Sequence, residues 1–177
     1  MQEEIKYIIK DSVLGSVLVA ESEKGICAIL IADNSLTLLA DVQSCFPQAY
    51  MVQGDARLEK RANKIVKFIE YPTDTLDLPL DIRGTDFQKK VWLALQKIPA
   101  GKTASYTEIA QHLKIPTAVR AVANACAKNF LAVIIPCHRI LRMDGTLSGY
   151  RWGIVRKKKL LEIERVGYQC SVINQIS

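Results

Sequence analysis

Ile134-Ile135-Pro136-Cys137-His138-Arg139-Ile140 sets a thiol between an apolar run and two basic side chains. The run from Leu131 to Ile135 predicts a short buried strand, which Pro136 ends. A cysteine beside His138 and Arg139 stands in a cationic setting, and nearby positive charge lowers the pKa that governs formation of the nucleophilic thiolate. Taken alone, a Cys-His pair fits a half-buried structural cysteine better, because free cysteine is among the residue types most often buried. The surrounding sequence has to decide.

At 177 residues and 49% hydrophobic content, the chain can bury a proper core as one large domain or two small ones. No apolar run approaches the roughly 20 residues of a membrane span, and Met1-Gln2-Glu3-Glu4 opens nothing like a signal peptide. A soluble, intracellular chain with no membrane contact is expected. The five cysteines are scattered, odd in number and free of any Cys-x-x-Cys, and there are two histidines, so neither a zinc site nor a disulfide framework is suggested. No metal and no cofactor are expected.

The net charge of +6 conceals an asymmetry: residues 1–83 hold nine Lys/Arg against thirteen Asp/Glu, and residues 84–177 hold fifteen against five. The basic half is where a polyanion would bind.

The acidic half reads as a small β/α domain. Ile5 to Lys10, Ser16 to Ala20 and Ile26 to Ile31 are three strand-like runs separated by turns. Leu36, Leu39, Val42 and Phe46, then Leu58, Ala62, Ile65 and Ile69, follow helical spacing and predict two covering helices. From Pro72 to Gly84 the periodicity dissolves into a linker. The expected division is therefore 1–83 and 84–177.

The basic half opens with two capping boxes. Thr85-Asp86-Phe87-Gln88 starts a helix whose apolar stripe is Phe87, Val91, Leu95 and Ile98, and Ser105-Tyr106-Thr107-Glu108 starts a shorter one. His112 lies on that second helix with a surface or core role. Thr117 is placed to cap a third helix, running to about Lys128 and ended by Asn129, so that the second and third form a helix-turn-helix. The third helix is rich in small residues, which suits close packing on another helix as well as close approach to a ligand, whereas Arg120 fits the packing role poorly. Ser148-Gly149-Tyr150-Arg151-Trp152-Gly153 reads as a glycine-bracketed loop able to lie against a ligand. A last helix is expected from Val155 to Val166, stopped at Gly167. Its opening cations Arg156-Lys157-Lys158-Lys159 oppose the helix dipole, and a phosphate backbone is their natural partner.

Ile135-Pro136-Cys137-His138-Arg139, Arg120-Ala121-Val122, Asn129 eight residues before the cysteine, and Gly145 to Gly153 after it together resemble the O6-alkylguanine-DNA alkyltransferases, the methylated-DNA–protein-cysteine methyltransferases. The match covers the basic half, and the acidic half agrees in general layout. The resemblance implies an α+β fold: a small ribonuclease-H-like domain followed by a winged-helix-like helix-turn-helix domain. It also implies single-turnover repair, in which Cys137 takes the alkyl group from O6-alkylguanine in double-stranded DNA. In the family a histidine acts as base through a water and a glutamate orients it. His138 is that histidine here, and counting along the motif selects Glu164, which the sequence alone does not prefer over Glu162.

The resemblance further implies that the base is flipped out through the minor groove, with Arg120 filling the stack and Tyr106 assisting. Asn129 becomes a hinge beside the nucleophile. Thr117, Ala118, Ala121, Asn124 and Lys128 join Arg120 and Tyr106 at the DNA, and Pro136, Ser148, Gly149, Tyr150, Arg151 and Trp152 form the base pocket. A monomer, cytoplasmic and nucleoid-associated, is expected. Phe130 departs from the family, where proline is common, and the zinc-cysteine domain of longer members has no counterpart in this sequence. The competing readings are a damage sensor without transfer activity, which in the family carries tryptophan in place of Cys137, and a Cys-His hydrolase, for which no oxyanion helix start is evident.

Overall fold

The computed structural model describes residues 2–72 and 76–176, so Thr73–Thr75 of the expected linker lie outside the described residues. The chain divides into two compact units, one built on Met1–Glu70, Thr75–Arg83 and Phe130–Ala132, the other on Tyr71–Asp74, Gly84–Asn129 and Val133–Ser177. The fold is α+β, with a sheet in the first unit and helices dominating the second. Among the described residues, no helix is long and apolar enough to cross a membrane.

In the first unit β1 (Glu4–Ser12), β2 (Gly15–Ser22) and β3 (Gly25–Ala32) form an antiparallel meander on the three runs expected. The turn into β3 needs glycine: Gly25 has φ 144°, and a Cβ there would lie 2.4 Å from the Pro79 carbonyl oxygen. Asn34 caps α1 (Ser35–Cys45), its Oδ1 accepting from the Thr37 N–H. The chain then adds a strand that sequence periodicity does not reveal. β4 (Tyr50–Gln53) pairs parallel to β1, Ile5 opposite Met51, which makes the order β3-β2-β1-β4. Four residues with no buried position give neither length nor alternation to detect. α2 (Ala56–Glu70) buries Leu58, Ala62, Ile65, Phe68 and Ile69, the expected stripe and one phenylalanine more.

β3 is buried along its whole length, and the sheet leaves it one unpaired edge. Such an edge must be covered. The Ile26 N–H donates to the Pro79 carbonyl and Ile26 accepts from Asp81, while the Ile29 N–H donates to Phe130 and Ile29 accepts from Ala132. Phe130 therefore has a task in this unit: its carbonyl closes the edge, and its ring meets Phe46 edge-on at 6.5 Å between centroids.

In the second unit both capping boxes form as expected, at Thr85/Gln88 for α3 (Asp86–Gln96) and at Ser105/Glu108 for α4 (Tyr106–His112). β5 (Ala104–Ser105) leads into α4, and His112 is exposed. α5 (Val119–Ala127) packs on α3 and α4, with the Trp92 indole N–H donating to the Ala125 carbonyl at 2.9 Å. After the Cys137 turn come β6 (Ile140–Leu141), parallel to β5, and α6 (Ile154–Ile176).

Three local expectations are corrected. Thr117 does not cap α5: the Ala118 N–H bonds back to the Ile115 carbonyl, closing a turn over Pro116 and Thr117, so the N-cap position falls on Ala118, where no side chain caps. Leu131 to Ile135 is not a strand. Only Leu131 bridges to a strand, and Val133 sits at φ 69°, so the chain turns while staying buried, and hydropathy cannot tell a buried turn from a buried strand. α6 runs through Gly167 to Ile176 rather than stopping. Glycine permits a helix end without enforcing one, at a cost of about 1 kcal/mol inside the helix.

Candidate active site

Pro136 leaves the buried turn, and Cys137–Arg139 make one turn of 3-10 helix. Three residues per turn point successive side chains about 120° apart. One short turn thus sends the thiol to different neighbours from those of the imidazole and the guanidinium.

The thiol is held by the end of α5 and by Asn129 just beyond it. Asn129, 1% exposed, donates from Nδ2 to the Ile135 carbonyl at 3.0 Å and to Cys137 Sγ at 3.3 Å. Cys137 Sγ in turn donates to the Cys126 carbonyl at 3.4 Å. The expected cationic setting is not found. Burial drives the Cys137 pKa well above its ordinary value, with the neighbouring Cys126 adding to the rise, and the Asn129 hydrogen bond and the Lys157 charge only partly offset it. The resting group is the thiol. Arg139 cannot help, because its charge is spent elsewhere.

That elsewhere is Glu164 on α6. Arg139 donates from Nε at 3.1 and 3.0 Å to the two carboxylate oxygens and from Nη2 at 2.8 Å, and its Nη1 donates to the Ile98 carbonyl. His138, fully buried, meets Glu164 Oε1 through Nε2 at 2.7 Å. Burial opposes the Glu164 charge, yet the hydrogen bonds and charges of His138 and Arg139 outweigh it and bring its pKa down to about 2. Burial also lowers the His138 pKa, against the pull of Glu164, so the ring is neutral near pH 7. A neutral ring bonded to a carboxylate through Nε2 carries its proton there, leaving the Nδ1 lone pair, which has no protein partner among the described residues.

A second buried line runs alongside. Tyr106 at the start of α4 shares a 2.7 Å hydrogen bond with Ser148 Oγ, and Lys157 on α6 donates to the same Oγ at 2.8 Å and to the Ile140 carbonyl. Lys157 is therefore no phosphate contact, contrary to the expectation for the Arg156–Lys159 run, and Arg156 Nη1 bonds back to the Trp152 carbonyl. The basic run is split by helix geometry: Lys157 shares its stripe with buried Leu160 and Glu164, a spacing of three then four that is visible in the sequence.

A cavity of about 330 Å³ opens onto Cys137, walled by Tyr106, Ala123, Cys126, Ala127, Gly149, Tyr150, Arg151 and Trp152. Of the expected pocket residues, Pro136 and Ser148 are buried and do not line the cavity. The Tyr150 hydroxyl is buried with no protein partner among the described residues. On α5, Arg120, Ala121 and Asn124 are exposed with Thr117 and Lys128 at its ends, Ala118 is half-buried, and Val122, Ala125 and Cys126 face inward. Arg139, Cys126 and the two alanines of the wall were not among the expected site residues, and Lys157 was expected only as a phosphate contact. Among the described residues, no group of three His, Cys, Asp or Glu is arranged to hold a metal.

Comparison with known proteins agrees across both units. Residues 86–166 match the family described as 6-O-methylguanine DNA methyltransferase, DNA binding domain, and residues 5–82 match its ribonuclease-like domain. The chain is 51% identical over 160 residues to the bifunctional transcriptional activator/DNA repair enzyme Ada of Escherichia coli, covering 90% of this chain but 45% of that one, so it spans about half the length of this relative. It is 37% identical over 158 residues to the methylated-DNA–protein-cysteine methyltransferase of Methanosarcina barkeri, covering 89% of this chain and 96% of that one. The crystal structure of Mycobacterium tuberculosis OGT in complex with DNA superposes with a TM-score of 0.76 at 33% identity, over 93% of this chain and 94% of that one. With both of its domains matched and a full-length relative above 30% identity, the chain belongs to the 6-O-methylguanine DNA methyltransferase family.

Proposed function

We propose that this chain repairs O6-alkylguanine in double-stranded DNA by moving the alkyl group irreversibly to Cys137. The observation that carries the proposal is a buried thiol at a nucleobase-sized cavity beside a neutral histidine whose other nitrogen is fixed on an ionised glutamate. With the damaged base in the cavity, the thiol proton passes through a water to His138 Nδ1, and Glu164 stabilises the imidazolium that forms. The thiolate attacks the alkyl carbon in line, the carbon–oxygen bond breaks, and its electron pair stays on guanine O6. A thioether offers water no activated carbon, so one molecule performs one repair. No cofactor enters these steps.

The raised thiol pKa fits this order of events: Cys137 is deprotonated only when substrate is in place, which protects it from other electrophiles. Asn129 ties α5 to the nucleophile and orients the sulfur lone pairs. A stacked base must be extruded, at a cost of a few kcal/mol. Arg120 then fills the gap from α5 in the minor groove, and Tyr106 reaches the flipped base from the cavity wall. The exposed small residues of α5 let its backbone approach the DNA, and the uncapped N–H groups at its start suit a phosphate. Gly149 to Trp152 hold the guanine ring. Such a protein works on chromosomal DNA, hence in the cytoplasm at the nucleoid.

The test is intact and peptide mass after mixing the protein with excess duplex carrying one O6-methylguanine. One added methyl on the Cys137 peptide, capped at one equivalent and absent in Cys137→Ser, is the expected result. Tight binding to the damaged duplex with no mass change would replace repair by damage sensing.

A further inference from the structure

The repair reading uses one thiol of the cavity and leaves the other without a task. We propose that Cys126 and Cys137 together hold a monovalent thiophilic cation, of the class of Cu(I), in a two-coordinate site. Binding is independent of the repair reading. On that reading the ion also occupies the alkyl acceptor, so that transfer waits until a chelator takes the ion away.

Helix spacing brings the second sulfur in. Cys126 and Ala127 follow Ala123 by three and four residues on α5, so one face of the helix gives all three to the cavity wall. Cys137 opens onto the same cavity from the 3-10 turn. Its Sγ donates to the Cys126 carbonyl at 3.4 Å, and the two thiols lie within hydrogen-bond reach of each other. Both are free cysteines, each 7% exposed. Paired sulfurs select soft ions, and the cavity gives such an ion its way in.

Ligand count and charge choose the ion. Zinc takes three or four protein ligands, and among the described residues no third His, Cys, Asp or Glu joins the pair. Cu(I) is satisfied by two thiolates. It displaces both thiol protons to solvent, two S–H bonds giving way to two Cu–S bonds, and the resulting group carries one net negative charge. A buried charge has to be paired. Lys157 supplies the counter-charge, because it is fully enclosed and its ammonium acts on both sulfurs. A divalent ion would leave the same groups with an unpaired positive charge. Asn129 adds a hydrogen bond from Nδ2 to Cys137 Sγ at 3.3 Å, which orients that sulfur as a ligand.

The full chain is titrated with Cu(I) under argon against bicinchoninate, a chromogenic competitor, and the loaded protein is read by copper K-edge X-ray absorption. The wild type is expected to hold one equivalent of copper with two sulfur neighbours. Cys126→Ser and Cys137→Ser are each expected to bind at least about a hundredfold more weakly, a larger loss than removing a hydrogen-bond partner of a ligand brings. Cys45→Ser, in the sheet unit, is expected to bind as the wild type does. Failure to hold copper against bicinchoninate, a single sulfur neighbour, or wild-type affinity in Cys126→Ser overturns the site. The absorption measurement needs no variant, so it decides the matter even where Cys126→Ser fails to fold. No DNA enters these measurements, and a copper site in a protein whose metal-free form takes no methyl on Cys137 would overturn the repair reading alone.

Discussion

Each unit buries one glutamate to 2% exposure and sets it against arginine, and the two arrangements do different things. In the sheet unit, Glu21 on β2 pairs with Arg57 and Arg61 of α2, and the Arg57 side chain is 64% exposed. In the helical unit, Glu164 meets Arg139 and His138, whose side chains are 4% and 0% exposed. Glu21 faces two permanent cations, one of them largely in solvent, and neither can change charge near neutral pH. Glu164 divides its oxygens between one permanent cation and one ring that can. Exchanging an arginine for a histidine and closing off the solvent converts an ion pair that only holds two elements together into one that also stores a proton. The two cysteines repeat the contrast: burial pushes the Cys27 thiol up to about 12 in the sheet unit and the Cys137 thiol well up in the helical unit, but only Cys137 has a neutral base close in the chain to receive its proton.

The largest effect is expected at Glu164. Glu164→Gln leaves the Arg139 charge buried without its counter-ion, costing about 3–5 kcal/mol of stability. It also removes the group that stabilises the imidazolium, so the transfer rate should fall by about a hundredfold. Chemical denaturation and single-turnover mass labelling check the two halves. The comparison fails if stability drops and the rate per folded molecule does not.

Acid unfolding adds a sign. The Glu164 pKa is lowered from 4.5 to about 2 in the folded chain, so its contribution is complete above pH 4.5 and is lost as pH falls from 4.5 toward 2. Glu164→Gln should flatten that part of the stability profile, read from denaturation midpoints across the acid range.

Glu21→Gln should be milder and purely structural, at about 1–3 kcal/mol, because Arg57 can turn to water when its partner is neutralised. The transfer rate per folded molecule should stay at the wild-type value. A fall in that rate would mean the sheet unit takes part in the chemistry, and the distinction drawn from the two glutamates would be lost.

Legibility in the sequence divides along the same line, between local contacts and enclosed ones. The capping boxes at Thr85 and Ser105 were legible because a cap is a contact within four residues, and the stripe of α2 because periodicity repeats it. The family likeness brought Cys137, His138, Asn129 and Glu164 together, and the structure buries all four, pairing Asn129 with Cys137 and His138 with Glu164. Hidden from view was whatever long-range contact alone decides. β4 exists because β1 offers it an edge, and the turn at Val133 is buried as deeply as a strand. Arg139 looked like a neighbour of the thiol, but a 3-10 turn rotates it onto Glu164. Lys157 was masked by the cations on either side, although its helix stripe, counted through Leu160 to Glu164, marked it as inward.

The smallest effect lies at two helix starts, one in each unit. In the sheet unit Asn34 caps α1 with its side chain, so Asn34→Ala should cost about 1 kcal/mol. At α5 the residue the sequence nominates, Thr117, sits inside the preceding turn, and the N-cap falls on Ala118, which has no side-chain oxygen to offer. Thr117→Ala should therefore change stability by less than about 0.5 kcal/mol, within the spread of ordinary surface substitutions. Paired urea denaturation of the two variants checks this. If Thr117→Ala costs as much as Asn34→Ala, the start of α5 is closed by its own side chain, and its N–H groups are not left over for a phosphate. If it costs nothing, helix stability at that end was given up where the DNA would lie, and the helical unit keeps open a polar terminus of the kind the sheet unit satisfies from within.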